Sequence, residues 1–153
     1  MSLARLQDRV PSARFVAIAT LAGHRLRFHK ISKDGSGKCD AEETGNPKDR
    51  VIGVVYEISD SDKPALDRKE GLGSGYDEKE VDVSANQERL TALMYFATRK
   101  DNQLSPYRWY KEHVLVGARE NALPSEYIAQ IEAMEAIDDP DTGRQDRELA
   151  IYR

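Results

Sequence analysis

The sequence predicts a mixed α+β fold in a single domain spanning residues 1–153, and three observations carry that reading. A chain of 153 residues with 39% hydrophobic and 33% charged composition is ordinary for one globular domain with a sizeable core. Runs with strand character, "VIGVVYEIS" above all, are rich in β-branched residues. They are interleaved with segments of helical spacing that carry helix start and stop signals.

In chain order, "SLARLQDRVP" sets Leu3, Leu6 and Val10 at helical spacing, with Ser2 as N-cap and Pro11 as the stop. "RFVAIATLAGHRLRFHK" reads as a hairpin of two strands about a turn near Ala22 and Gly23. Residues 31–50 are polar and glycine-rich, the pattern of a long exposed loop. "VIGVVYEIS" has the apolar character of a central strand covered on both faces. A short helix follows, started by Ser59 or Ser61, stopped by Gly71 and facing Leu66 inward. "EKEVDVS" and "LTALMYFATR" are two further strands joined by the polar turn "ANQER". "SPYRWYKEHVLVGA" and "PSEYIAQIEAMEAI" are helical, and "DDPDTGRQDRELAIYR" is a turn with a terminal segment.

Charge and cysteine content exclude several classes of function. A balance of 23 Lys and Arg against 27 Asp and Glu, net charge -4, points to no nucleic-acid partner and no membrane partner. No apolar run approaches the roughly 20 residues a membrane span requires. One cysteine, Cys39, forms no intrachain disulfide, which fits a reducing, cytoplasmic location.

Two tempting motifs fail on spacing. In "DGSGKCD" a phosphate-binding loop would need glycine where Ser32 stands, and a calcium-binding loop would need a carboxylate where Gly45 stands. His24, His29 and His113 lack metal-ligand spacing and are expected at the surface or at strand edges. No metal and no cofactor is called for.

"DRKEGLGSGYDEKE" is the informative stretch. Glu70 falls in the last turn of a helix, where the negative end of the dipole disfavours a carboxylate by about 0.3–1 kcal/mol. Arg68 or Lys69 offsetting it at the surface is one account. The other is a general base that must also return its proton as an acid. The glycines that follow either form a flexible turn or let a ligand approach the backbone.

"ALDRKEGLGSGY", then "MYFA", then "SPYRWYKEHVLVGARENALPSEYI" resemble, in that order, the γ-glutamylcyclotransferase family, and the likeness covers residues 1 to about 135. The resemblance implies a small β-barrel-like mixed sheet with peripheral helices. It also implies an enzyme that cyclises a γ-glutamyl amine or peptide to 5-oxoproline, an acyl transfer of cyclising-lyase type. Glu70 falls on the family's catalytic glutamate. Gly71, Gly73, Ser74 and Gly75 form the adjoining turn, and Tyr76, Tyr95 and Tyr110 fall on or near tyrosines that line the pocket. Each tyrosine also reads as a half-buried core aromatic. "GAREN" matches a helix end that is taken as structural.

Family members usually open on a strand and a Tyr-Gly-Ser-Asn loop that hold the substrate through backbone N–H groups, and these would precede Met1. They are expected either upstream of this start or lost from the natural chain. An edge left open in this way is expected to recruit a second copy, giving a homodimer. A non-catalytic binding or oligomerisation module on the same scaffold is the alternative reading.

Overall fold

The computed structural model describes residues 1–153 and contains two antiparallel sheets with helices packed around them. Helix α1 (Leu3–Arg9) is capped by the Ser2 hydroxyl, which accepts from the Arg5 amide. Strand β1 (Arg14–Ala22) leads through Gly23 into β2 (His24–Ile31), and β3 (Gly37–Glu43) and β4 (Arg50–Glu57) follow. Next come α2 (Lys63–Glu70), β5 (Tyr76–Ala85) and β6 (Glu88–Ala97). Helices α3 (Arg108–Glu120), α4 (Ser125–Ala133) and α5 (Arg144–Leu149) complete the chain, with a 3-10 turn at Ala150–Tyr152. No helix is long and apolar enough to cross a membrane.

Three expectations about the strands are corrected. The strands flanking Gly23 are not a hairpin, because β1 pairs with β4 and β2 pairs with β3, so the chain changes sheets at this turn. Residues 31–50 are not one exposed loop. They contain β3, whose Gly37 and Asp40 are buried between β2 and the segment that follows β6. β4 is an edge strand of the order β4-β1-β5-β6 and only half-buried, since no strand pairs with its outer side.

Local chemistry accounts for several boundaries. The β5–β6 hairpin closes on Asn86 and Gln87, both with positive φ, a two-residue turn whose twist matches that of the flanking strands. Helix α2 begins at Asp62 rather than at Ser59 or Ser61. The Asp62 carboxylate accepts from the Ser12 amide and ties the helix start to the turn between α1 and β1. β1 meets β5 only at Thr20 and Ser84, and Phe15, Val16 and Ile18 at the other end of β1 are exposed. The sheet is therefore curved but not closed.

The core divides into three apolar clusters. Leu26 and Phe28 of β2 pack on Leu115 of α3 and on Tyr127 and Ile131 of α4. Ala19, Leu21, Val83 and Ala85 cover one face of the larger sheet. Leu6, Val10 and Ala13 pack on Leu66 of α2, and this last cluster fixes α1 against the helix that carries Glu70.

All three histidines are buried, against the surface placement that their spacing left them with. Each is buried because its ring nitrogens find partners. His29 Nε2 lies 2.7 Å from Asp40 Oδ2 and its Nδ1 3.1 Å from Asn102, while Asp40 Oδ1 accepts from the Ala97 amide and so joins the two sheets. His24 Nδ1 lies 2.8 Å from the Ala22 carbonyl. His113 Nδ1 lies 2.8 Å from the Tyr152 hydroxyl.

Burial, with Arg5 and Arg9 nearby, lowers His113 from its ordinary value near 6.5 to about 3. The folded state thus holds this ring neutral where the unfolded chain would charge it. Its contribution to stability is complete above pH 6.5 and is lost as pH falls from there toward 3. The melting temperature should therefore decline between pH 7 and pH 5, and a His113→Gln variant should show a flatter profile over that interval. Equal slopes in the two proteins would exclude His113 as the source.

Candidate active site

Glu70 is the last residue of α2, and Gly71 ends the helix in the left-handed conformation (φ 77°) that a glycine C-cap adopts without strain. The Gly71 and Leu72 amides both donate to the Asp67 carbonyl at 2.9 Å. The Gly73 amide donates to the Tyr76 carbonyl and the Ser74 amide to the Gly71 carbonyl, each at 2.8 Å. These donors are used inside the turn, which acts as a rigid bracket between Glu70 and Tyr76. The Gly75 amide has no protein acceptor, and the Gly75 carbonyl accepts from Thr98 at 3.0 Å.

The cation against Glu70 comes from another helix. Arg9 Nη1 of α1 donates to Glu70 Oε1 at 3.0 Å, with both side chains about four-fifths buried. Arg68 and Lys69, its sequence neighbours, form no ion pair with it. This guanidinium supplies the positive charge that the helix end lacks, and it leaves Glu70 Oε2 with no partner in the protein. No buried side-chain oxygen or nitrogen lacks a hydrogen bond, so Oε2 is open to solvent and to a ligand.

Tyr76 and Tyr110 meet at one peptide group. The Tyr76 hydroxyl donates to the Cys39 carbonyl at 2.6 Å, and the Tyr110 hydroxyl accepts from the Cys39 amide at 3.1 Å. Tyr76 retains acceptor capacity and Tyr110 retains its own proton as a donor. Burial raises both phenols well above their ordinary range, so they act as neutral hydroxyls. The Lys30 ammonium lies 4.8 Å from the Tyr76 ring centroid, so Lys30, Tyr76, Cys39 and Tyr110 are joined by direct contacts, and the Glu70 charge acts on all four. Burial pushes the Cys39 thiol up to about 12, which removes it as a nucleophile.

Tyr95 lies with a different set. Its hydroxyl donates to Asp67 at 2.5 Å, and Lys63 pairs with the same carboxylate and with Glu78. Tyr95 therefore braces α2 against β6 one turn before Glu70. The sequence also left out Lys38, Arg9 and Lys30. Lys38 Nζ sits 4.8 Å from the Trp109 ring centroid and 4.5 Å from that of Tyr110, and it donates to Asp34 at 2.7 Å. No local signal marks Arg9 or Lys30, since each meets the site across dozens of residues.

"GAREN" serves the start of the chain. The backbone of Met1 and Ser2 passes over Gly117 so closely that a methyl group there would lie 2.8 Å from it, and Glu120 accepts from the Leu3 amide at 2.6 Å. Desolvation lowers the pKa of the Met1 amino group, and the charges of Cys39, Glu120 and Glu70 oppose that shift. Two surface recesses lie elsewhere, one beside β2 and residues 102–106 and one lined by Asp40, Glu43, Lys79 and Phe96.

Comparison with known proteins gives a consistent set of matches. The pattern of the AIG2-like family matches residues 50–131. Proteins described as gamma-glutamylcyclotransferase from Bos taurus and from Homo sapiens are each 34% identical over 140 residues, 88% of this chain and 73% of theirs. A solved structure described as gamma-glutamyl cyclotransferase superposes with a TM-score of 0.87 at 30% identity, covering 99% of this chain and 92% of that one.

The double grip on Cys39 has a measurable consequence. Tyr110→Phe leaves the Cys39 amide without an acceptor in an enclosed position, which should cost about 1–3 kcal/mol of stability. Chemical denaturation reads this as a lower midpoint with an unchanged slope. An unchanged midpoint would mean that the amide finds a substitute acceptor.

Proposed function

The chain belongs to the AIG2-like, γ-glutamylcyclotransferase family, and we propose on that footing that it converts a γ-glutamyl amine or peptide to 5-oxoproline and the free amine or amino acid, with Glu70 as general base and acid. The observation that carries the assignment of Glu70 is its geometry. One carboxylate oxygen is fixed by Arg9, and the other is unpartnered and accessible beside Tyr76 and Tyr110.

The chemistry follows from what these groups hold. Glu70 Oε2 takes a proton from the substrate's α-ammonium, and the freed amine attacks the γ-carbonyl carbon. A carbon–nitrogen bond forms and the carbonyl electrons move to oxygen. The Tyr110 O–H is the available neutral donor for that developing oxyanion. Collapse of the intermediate breaks the bond to the departing nitrogen, to which Glu70 returns its proton. The second proton, left on the ring nitrogen by the attack, passes through the same carboxylate to the released amine. Both protons shed by the α-ammonium thus leave with that amine, and none is consumed at the carboxyl group. Attack within one molecule means that folding the glutamyl chain into a compact conformer removes much of the entropic barrier.

Arg9 is a positioning residue in this scheme, fixing the carboxylate rotamer from the last turn of α1. Gly71, Gly73 and Ser74 shape the turn, and Gly75 with Tyr76 forms the wall next to the substrate. Tyr95 acts through Asp67 on the position of α2. The lone free cysteine fits a reducing compartment, and a cytoplasmic setting is part of this reading.

Glu70→Gln preserves size and removes the titrating group. It should lower 5-oxoproline release from a γ-glutamyl amino acid by about 10²–10⁴-fold while the protein still melts cooperatively. Turnover within a few-fold of the parent would transfer the catalytic role to another residue.

A further inference from the structure

Lys30 lies near the end of β2, and its ammonium makes no hydrogen bond and no ion pair with any group of the protein. Its aliphatic stem and Nζ lie over Gly75. A Cβ at that position would stand 2.9 Å from Lys30 Cε and 3.1 Å from Nζ, so a side chain there would displace the flexible end of Lys30, and the backbone itself (φ 116°) favours glycine. The same Nζ sits 4.8 Å from the centroid of the Tyr76 ring. Because no buried polar side-chain atom lacks a partner, Nζ is open to solvent. Burial lowers its pKa, the charges of Glu70 and then Asp34 oppose that shift, and Arg99 and Lys33 add positive field around it.

Glu70 and Lys30 thus carry opposite charges at the two ends of the Gly71–Gly75 turn, Glu70 just before it and Lys30 over its last glycine, and no ion pair joins them. Each has an unpartnered, accessible polar atom. A carboxylate and an ammonium presented by one turn are together the complement of a zwitterion, whose own ammonium suits the carboxylate and whose carboxylate suits the ammonium. The γ-glutamyl head group is such a zwitterion, with both charges on one carbon.

We propose that Lys30 is a substrate-binding residue that holds the α-carboxylate of the γ-glutamyl group, opposite the ammonium that Glu70 deprotonates. The inference rests on the cyclotransferase reading above and names a residue that this reading does not require. It also assigns a role to the last glycine of "EGLGSGY": Gly75 provides the space in which Lys30 reaches the site.

The test compares wild type, Lys30→Met and Lys30→Arg on two substrates, γ-glutamyl-alanine and γ-glutamyl-methylamide, with calorimetric binding of each to wild type and Lys30→Met. The α-carboxylate is common to both substrates. Loss of one charge-assisted contact should therefore raise KM for both by about 10–100-fold in Lys30→Met, with a smaller change in kcat. Lys30→Arg should recover much of the loss because it restores a cation. A rise confined to γ-glutamyl-alanine would place the bound carboxylate on the leaving amino acid and overturn the proposal, as would unchanged KM for both. If wild type released no 5-oxoproline, the reaction assigned above would be wrong. The calorimetric arm still decides Lys30 in that case, since weaker binding of both compounds by Lys30→Met supports the carboxylate contact and equal or absent binding refutes it.

Discussion

The peptide group of Cys39 is the point at which the structure is pinned together. Its carbonyl takes the Tyr76 hydroxyl from the start of β5, and its amide gives to the Tyr110 hydroxyl from α3. Two sheets and a helix therefore meet at one peptide in the middle of β3. The neighbouring Lys38 strengthens the junction, since its ammonium lies against Trp109 and Tyr110 and bonds Asp34 and Ser36. On the other side, Asp40 bonds His29 and the Ala97 amide, so three consecutive residues of a short strand join β2, β5, β6 and α3. A polar network this enclosed is stable only when every member is satisfied, and no buried side-chain polar atom here lacks a partner.

The charge at the end of α2 depends on that framework. A carboxylate at a helix C-terminus is locally unfavourable, and an unpaired one in a half-buried position more so. Arg9 resolves this from α1, which is held in place by Leu6, Val10 and Ala13 against Leu66 and by Glu120 at its first turn. Only one oxygen is neutralised. The site therefore combines a fixed carboxylate with an open proton-accepting atom, a combination that a surface ion pair to Arg68 or Lys69 would not hold in one position.

Much of the element pattern was legible. Ser2 capping α1, Gly71 ending α2 and the helical periodicity of α3 and α4 depend on contacts within a few residues of one another, and such contacts are written in the sequence. What failed was pairing. β1 and β2 read as a hairpin because they are adjacent, yet at Gly23 the chain leaves one sheet for the other, and β3 was hidden in a polar, glycine-rich stretch. β3 is a strand because it pairs with β2 from His24 opposite Glu43 to Ile31 opposite Gly37, and the groups that hold it against the rest of the fold, Tyr76, Tyr110 and Ala97, are not local to it.

For the site, the sequence by itself determined that a glutamate would end a helix before a glycine turn and a tyrosine, because helix termination and turn formation are short-range properties of the backbone. It also supplied the family likeness that gives that glutamate a role. Only the tertiary structure decided which groups surround it. Arg9 lies 61 residues before Glu70, and Cys39 meets Tyr110 across 71. Tyr95 was drawn to Asp67 rather than to the carboxylate of Glu70, and Lys30 was brought over Gly75 with no partner of its own. Those placements follow from how the sheets and helices pack, and a side chain's electrostatic surroundings are fixed by distance in space, which no local pattern encodes.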